Sequence, residues 1–287
     1  MAGPSPLDAL TDLLEGRRIA VLAGAGISTD SGIPDYRGPA TRHIERRPIQ
    51  YDAFVSDATA RCRYWARASR GWERMASARP NAGHVALATL EASGHIVGTI
   101  TQNVDGLHQR AGAQRVIELH GSLADVCCLQ CERCWPRDTV QERIEACNPG
   151  WTDLRPTSRQ LAPDGDVEVD ETESFVPPTC PACEGSLKPD VVFFGESVPK
   201  PRVEAARRMV SQADALLVVG SSLTVYSGYR FVRQAETENT PIAIVTLGAT
   251  RGHRHAAVTV DAPLGEVLPE LADRLNTRIQ PRIAFSG

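Results

Sequence analysis

Eight cysteines stand in the 287-residue chain, and four of them form two pairs with one inner spacing, Cys128-x2-Cys131 and Cys180-x2-Cys183. Two such knuckles supply four thiolates, the ligand set of a tetrahedral zinc site. A redox dithiol or scattered buried thiols would leave the pairing unexplained. Spacing alone leaves the first knuckle open, because Cys131-x2-Cys134 satisfies it equally. Four thiolates fill the metal's shell, so the zinc is expected to be structural and not catalytic.

A second chemistry is suggested at 24–38, GAGISTDSGIPDYRG, directly after the apolar run Ile19-Ala20-Val21-Leu22-Ala23. A glycine-rich turn after a strand lets backbone N–H groups approach a pyrophosphate. Gly24-Ala25-Gly26 fits that geometry, although a tight turn with Ser28 capping a helix fits as well. The dinucleotide fingerprint G-x-G-x-x-G is incomplete, because Thr29 stands where the third glycine belongs. The acid expected about 20 residues further on is also missing in context, since Glu45 lies in RHIERR. An unmodified hydride-transfer site is therefore disfavoured. A second small polar loop, Gly220-Ser221-Ser222, follows the apolar run Ala215–Val219. Two such loops at the carboxyl ends of parallel strands mark a ligand crevice.

The third group is TQNVDGLH, 101–108. Asn103 and Asp105 at a strand end can hydrogen-bond a carboxamide or a ribose; Asn103 as a helix cap is the plain alternative. Further on, His120-Gly121 closes the run Val116–Leu119. An imidazole with an ordinary pKa near ~6.5, projecting into a crevice, suits proton abstraction at neutral pH. His108 is a second candidate for the crevice. His43, His95, His253 and His255 lie in polar or basic surroundings and take no role.

These groups need a scaffold. Predicted strands are Arg18–Ala23, Ile96–Thr101, Val116–Leu119, Val191–Phe194, Ala215–Val219, Ile242–Thr246 and Ala257–Val260, with helices near 5–16, 82–93, 201–212, 228–238 and 265–276. Apolar strands alternating with helices imply an α/β fold, a Rossmann-like parallel sheet covered on both faces. Two regions break the rhythm. Residues 44–80 read as helical, with Trp65 and Trp72 one heptad apart. Residues 126–189 hold most of the cysteines and an acidic run, Pro163–Ser174, that reads as an exposed loop. The expected division is 1–43, 81–125 and 190–287 for the sheet domain, with 44–80 and 126–189 as an inserted smaller domain, a helical segment plus the four-cysteine zinc module.

Bulk properties narrow the function classes. The formal net charge is −4 and there is no basic block, which weakens a nucleic-acid reading. No apolar stretch approaches the ~20 residues of a membrane span. The N-terminus resembles no signal peptide, so a cytoplasmic location is expected.

In this order, the segments GAGISTDSGIPDYRG, TQNVDGLHQRAG, ELHGSL, the paired knuckles, KPDVVFFGE and VVGSSLTVYSG resemble the sirtuin family of NAD-dependent protein lysine deacylases. The resemblance runs from about residue 18 to residue 270. RYWAR, LAPDGDV and SSLTVYSGYRF are similar to the class II, mitochondrial-type branch. The resemblance implies that Gly24, Ala25, Gly26, Ser28, Asp35, Tyr36 and Arg37 shape the NAD+ loop. Gln102, Asn103 and Asp105 would line the ribose and nicotinamide pocket, with Ile33 and Asp105 facing the carboxamide. His120 would be the general base, with Asn103 beside it in the catalytic set. Gly220, Ser221, Ser222, Thr246, Leu247, Gly248 and Leu264 would hold the adenosine half. Cys128, Cys131, Cys180 and Cys183 would ligate the zinc, leaving Cys127 and Cys134 spare. Val192, Phe193, Phe194 and Gly195 would clamp an acyl-lysine. Tyr36 stands where most of the family has Phe, and Thr246 where it usually has Asn; Thr keeps a hydroxyl but loses reach.

The implied reaction moves an acyl group from lysine to ADP-ribose and releases nicotinamide. Its partners would be acyl-lysine proteins, and the chain is expected to be a monomer. A protein mono-ADP-ribosyltransferase using the same NAD site is the alternative, and a non-catalytic NAD sensor is a third reading. Tyr64 and Arg67 in RYWAR share a helix face. In the class II reading they line the acyl pocket, with Arg67 gripping a terminal carboxylate, so that acidic acyl groups are favoured.

Overall fold

The computed structural model describes residues 5–39, 41, 43–44, 48–153, 162–167, 169 and 172–279. The chain runs α1 (Pro6–Leu14), β1 (Ile19–Ala23), a 3-10 turn (Ala25–Ser31), α2 (Tyr51–Ser56), α3 (Ala58–Ser77), α4 (Ala82–Ala92), β2 (Ile96–Thr101), α5 (Leu107–Arg110), β3 (Val116–Glu118), β4 (Gly121–Cys128), β5 (Cys134–Pro136), α6 (Arg137–Cys147), β6 (Leu187–Val191), α7 (Lys200–Ser211), β7 (Ala215–Val219), α8 (Tyr226–Thr237), β8 (Ile242–Val245), β9 (Val258–Val260) and α9 (Leu264–Ile279).

Six strands form one sheet in the order β3-β2-β1-β7-β8-β9, and every pairing in it is parallel. The strands at its centre are buried on both faces, which is why they read as unbroken apolar runs and not as alternations. In β1, Ile19, Val21 and Ala23 pack against Leu87 and Leu90 of α4 and Leu268 and Leu271 of α9. Ala20 and Leu22 face the other way, toward Val210 of α7 and Phe231 and Val232 of α8. One five-residue strand thus anchors both layers.

A separate three-stranded antiparallel sheet, β5-β4-β6, joins α2, α3 and α6 around a third core built on Phe54, Trp65, Val126 and Leu187. Helix α3 starts at Asp57, whose carboxylate accepts from Thr59 N–H, a standard N-cap. Trp65 and Trp72 share its face, and the Arg137 guanidinium lies over both rings, at 5.4 and 4.8 Å. The Trp65 indole donates to Leu187 O at 3.1 Å, tying α3 to β6.

Three sequence expectations change. Val191–Phe194 is not a strand of the parallel sheet; only Val191 is in a strand, at the end of β6. Val192 N–H instead donates to His120 O, and Phe194 O accepts from Tyr51 N–H, so this segment links the β3–β4 junction to the start of α2. β4, β5 and α6 were not foreseen, because their apolar positions are too sparse to show a period. The acidic run Pro163–Ser174 is only partly exposed where it is described: Asp166, Val167 and Thr172 are buried, while Glu173 and Ser174 are exposed. Glu45, Leu161, Glu168, Asp170 and Glu171 lie outside the described residues.

Candidate active site

Chain order reverses between β1 and β7, so the loops leaving their carboxyl ends meet with no connection between them. They interlock. Gly24 N–H donates to Val219 O at 3.0 Å and Gly26 N–H to Gly220 O at 2.8 Å. A Cβ on Gly24 would stand 2.7 Å from Ser221 Cβ, and one on Gly26 2.9 Å from Gly220 Cα. The two glycines therefore serve loop-on-loop packing, and their own N–H groups are already occupied. No α-helix follows directly; the 3-10 turn ends at Gly32 with φ 81°. The third fingerprint glycine, which permits close helix–strand packing, has nothing to do here.

A cleft of about 990 Å³ opens beside these loops and reaches across to Ile49, Tyr64 and Asp164. Every residue that the sequence placed on the cofactor or the acyl-lysine lines it, except Gly248 and Arg67. Gly248 N–H donates to the Asp261 carboxylate and holds a turn at the rim. Arg67 is in an ion pair with Asp166 at 2.7 Å, with side-chain exposures of only 12% and 10%. Asp166 thus answers its charge inside the protein, and Arg67 is not among the residues that line the cleft. Tyr64 does line the cleft, its ring packed on Phe54 and Phe193. Asp164 lines it as well. Burial first, and the nearby Asp164 second, push the Asp166 carboxyl up to about 6 against the pull of Arg67.

Behind the loops, Asn103, Ser28 and Asp105 form one network. The Ser28 hydroxyl donates to Asp105 at 2.7 Å and accepts from the Asn103 amide at 3.0 Å. Asn103 also donates to Gly24 O at 3.2 Å. Ser28 is no helix cap. Nor does Asn103 cap α5, whose N-cap is Gly106; the other Asp105 oxygen accepts from Leu107 N–H at 2.9 Å. Asp35 is likewise engaged, accepting from Gly38 N–H and from the Thr41 hydroxyl. The Tyr36 ring meets Phe194 edge-on at 6.3 Å. Gln102 donates to Ser221 Oγ at 2.9 Å, tying the loop after β2 to the loop after β7.

His120 sits where β3 gives way to β4, half-buried on the cleft wall. Its Nδ1 lies 2.9 Å from Gln102 O and its Nε2 2.8 Å from Ser227 Oγ. A carbonyl only accepts, so Nδ1 carries the proton and Nε2 presents its lone pair. Burial, helped by the Arg202 and Arg230 charges, pulls the imidazole below its ordinary value, and the Gln102 carbonyl opposes this. His108 does not join the site; it is buried against His84 with ring centroids 5.0 Å apart. Sequence reasoning missed Ser227 and Arg230 on α8 and Lys200 and Glu204 on α7, all cleft-lining. The one-turn spacing of Ser227 and Arg230 was a usable signal, masked because α8 reads as a sheet-covering helix.

The metal question is answered by geometry. The Cys128, Cys131, Cys180 and Cys183 sulfurs all lie within 4.8 Å of one another. Cys128–Cys183 and Cys131–Cys180 are 3.5 and 3.6 Å apart. Zn–S bonds of about 2.3 Å in a tetrahedron require S···S near ~3.8 Å, so the cluster fits a structural zinc ion. Cys134 is outside it and forms a disulfide with Cys127, so these two are not merely spare.

Comparison with known proteins agrees. Residues 24–227 match the model of the Sir2 family. The chain is 53% identical over 269 residues to NAD-dependent protein deacetylase 1 of Mycobacterium avium, covering 93% of this chain and 95% of that one. It is 48% identical over 279 residues to NAD-dependent protein deacetylase 1 of Streptomyces coelicolor, covering 96% and 92%. Among solved structures, a Sir2–p53 peptide–NAD+ complex superposes with TM-score 0.73 at 32% identity, covering 95% of this chain and 98% of that one. A Sir2 bound to acetylated peptide gives 0.71 at 31% identity, with 94% and 96% covered.

Proposed function

The chain belongs to the Sir2 family, and on that premise we propose that it is an NAD-dependent protein lysine deacylase acting on acetyl-lysine in other proteins. The observation that carries the reading is His120. Its Nε2 accepts from the Ser227 hydroxyl on the wall of a cleft lined by the interlocked loops on one side and Tyr64 and Phe193 on the other. NAD+ in this cleft supplies an activated ribose with nicotinamide as leaving group. The Asn103–Ser28–Asp105 network holds the nicotinamide end, and the loops after β7 and β8, with Thr246 and Leu264, hold the adenosine end. Val192, Phe193 and Phe194 exclude water from the acyl-lysine, so its weakly nucleophilic amide oxygen meets the ribose in a dry, oriented site. His120 takes the proton of a ribose hydroxyl at Nε2.

Arg67 is paired and Asp164 lines the cleft, so the favoured acyl group is uncharged. The class II assignment, cytoplasmic residence, the monomeric state and the two-domain division with boundaries at 44, 81, 126 and 190 belong to this reading and rest on the sequence. The ADP-ribosyltransferase alternative is not favoured, given relatives named as deacetylases. The test is incubation with NAD+ and an acetyl-lysine peptide. Free lysine, nicotinamide and O-acetyl-ADP-ribose should appear together; label retained on protein without deacylated peptide would reverse the choice. In His120→Ala, deacylation should fall by about 10²–10⁴ while nicotinamide exchange partly survives, because the base acts after nicotinamide leaves.

A further inference from the structure

We infer that Ser227 is a positioning residue for His120, a role that rests on the deacylase reading above. The hydroxyl stands 2.8 Å from Nε2, the nitrogen that must accept the proton. Since Nδ1 donates to Gln102 O, the hydroxyl can only donate to Nε2 while His120 is neutral. The ring is thereby fixed at both nitrogens, in plane and in tautomer. Ser227 is the second residue of α8, so its backbone is set by a twelve-residue helix and not by a loop. That helix is anchored in the sheet core through Tyr229, Phe231 and Val232.

A hydroxyl has a property that a fixed donor lacks: it both donates and accepts. Nε2 has a single lone pair, so a ribose hydroxyl that reaches it displaces the Ser227 donor; the ribose O–H bond breaks, the Nε2–H bond forms, and the oxygen keeps the electron pair with which it attacks the former amide carbon. Nε2 is then a donor. Ser227 turns about its Cβ–Oγ bond and accepts from the new imidazolium. The same oxygen serves both charge states of the base without moving the helix. Among the described residues no acidic side chain is hydrogen-bonded to His120, and the charges that act on it are Arg202 and Arg230. Ser227 is then the group that offsets the imidazolium as it forms.

The experiment uses the full-length protein, NAD+ and an acetyl-lysine peptide. It measures deacylation kcat, both KM values and the rate of labelled nicotinamide exchange, for wild type, Ser227→Ala, Ser227→Cys and Ser227→Thr. A hydrogen bond to a charged group predicts that deacylation kcat falls about tenfold or more in Ser227→Ala. Exchange and both KM values should stay within about twofold, because the base acts only after nicotinamide departs. Ser227→Cys keeps the shape but is a weak donor, so it should follow Ala; Ser227→Thr should recover most of the rate. An equal loss in exchange and deacylation, no loss of kcat in Ser227→Ala, or wild-type kcat in Ser227→Cys would each overturn the assignment. A wild-type protein that deacylates no acetyl peptide would instead sink the deacylase reading, and the two failures are distinct.

Discussion

At His120, the environment that keeps water out also keeps the ring uncharged. Burial disfavours the imidazolium, and Arg202 and Arg230 add to that. A base works when deprotonated, so a lowered pKa extends activity toward acid. The acid limb of kcat/KM against pH should have its midpoint below the ordinary histidine value of 6.5. Arg230→Leu should move that midpoint upward, and an unmoved limb would remove Arg230 from the account. Arg67 gives a contrasting prediction. Its guanidinium is already paired with Asp166, and a substrate carboxylate would have to displace that partner beside Asp164. Arg67→Met should therefore leave the ratio of succinyl- to acetyl-lysine turnover unchanged. It should instead lower stability by about 2 kcal/mol, since it strands a buried carboxylate that relieves only part of the cost by protonating. A selective tenfold loss on succinyl-lysine would restore the acidic pocket.

Elements decide how such residues are held. The β1 and β7 loops were legible as loops, but their mutual packing was not, because Gly24 and Ser221 meet only through the strand order. The knuckles were legible in residue type and spacing. Local spacing alone could not exclude Cys134, because it sits at the right interval from Cys131. β4 and β5 separate them: Cys134 pairs across the ladder with Cys127, while Cys128 turns toward Cys183. Cys180→Ser should lose the zinc and unfold the small antiparallel sheet, since structural zinc contributes on the order of 10 kcal/mol to such sites. Cys134→Ser should keep one zinc per chain. Metal analysis of both purified variants checks this, and zinc loss in Cys134→Ser alone would reassign the ligands.

On the scale of the whole molecule, the site rests on a buried seam between α4 and α5. His84 and His108 meet there, and neither His108 ring nitrogen has a hydrogen-bond partner among the described residues. Burial lowers His84 from 6.5 to about 4 and His108 from 6.5 to about 3. The unfolded chain protonates both near pH 6.5, while the folded chain resists until far lower pH. Stability is therefore fully present above 6.5 and is lost as pH falls toward the folded values. The slope should be about 1.4 kcal/mol per pH unit for each histidine. Urea unfolding at pH 7, 6 and 5 measures it, and His108→Phe should flatten the slope. Equal slopes in the variant and the wild type would show that other groups govern acid lability.

The sequence by itself determined whatever is local. Ile96–Thr101, rich in β-branched Ile, Val and Thr, and the continuous apolar run Ala215–Val219 are strands to the residue, because both patterns suit a strand buried in a parallel sheet. The segments around 24–38, 101–108 and 120 carry the family and its chemistry in their order alone. Tertiary structure decided what depends on distant partners. Arg67 meets Asp166 across 99 positions, and Ser227 meets His120 across 107. No period or spacing encodes such pairs, because each is set by how separate layers stack once their apolar faces are buried. The same stacking interlocks Gly24 and Gly26 with the loop after β7 and sets Arg67 in a buried ion pair with Asp166.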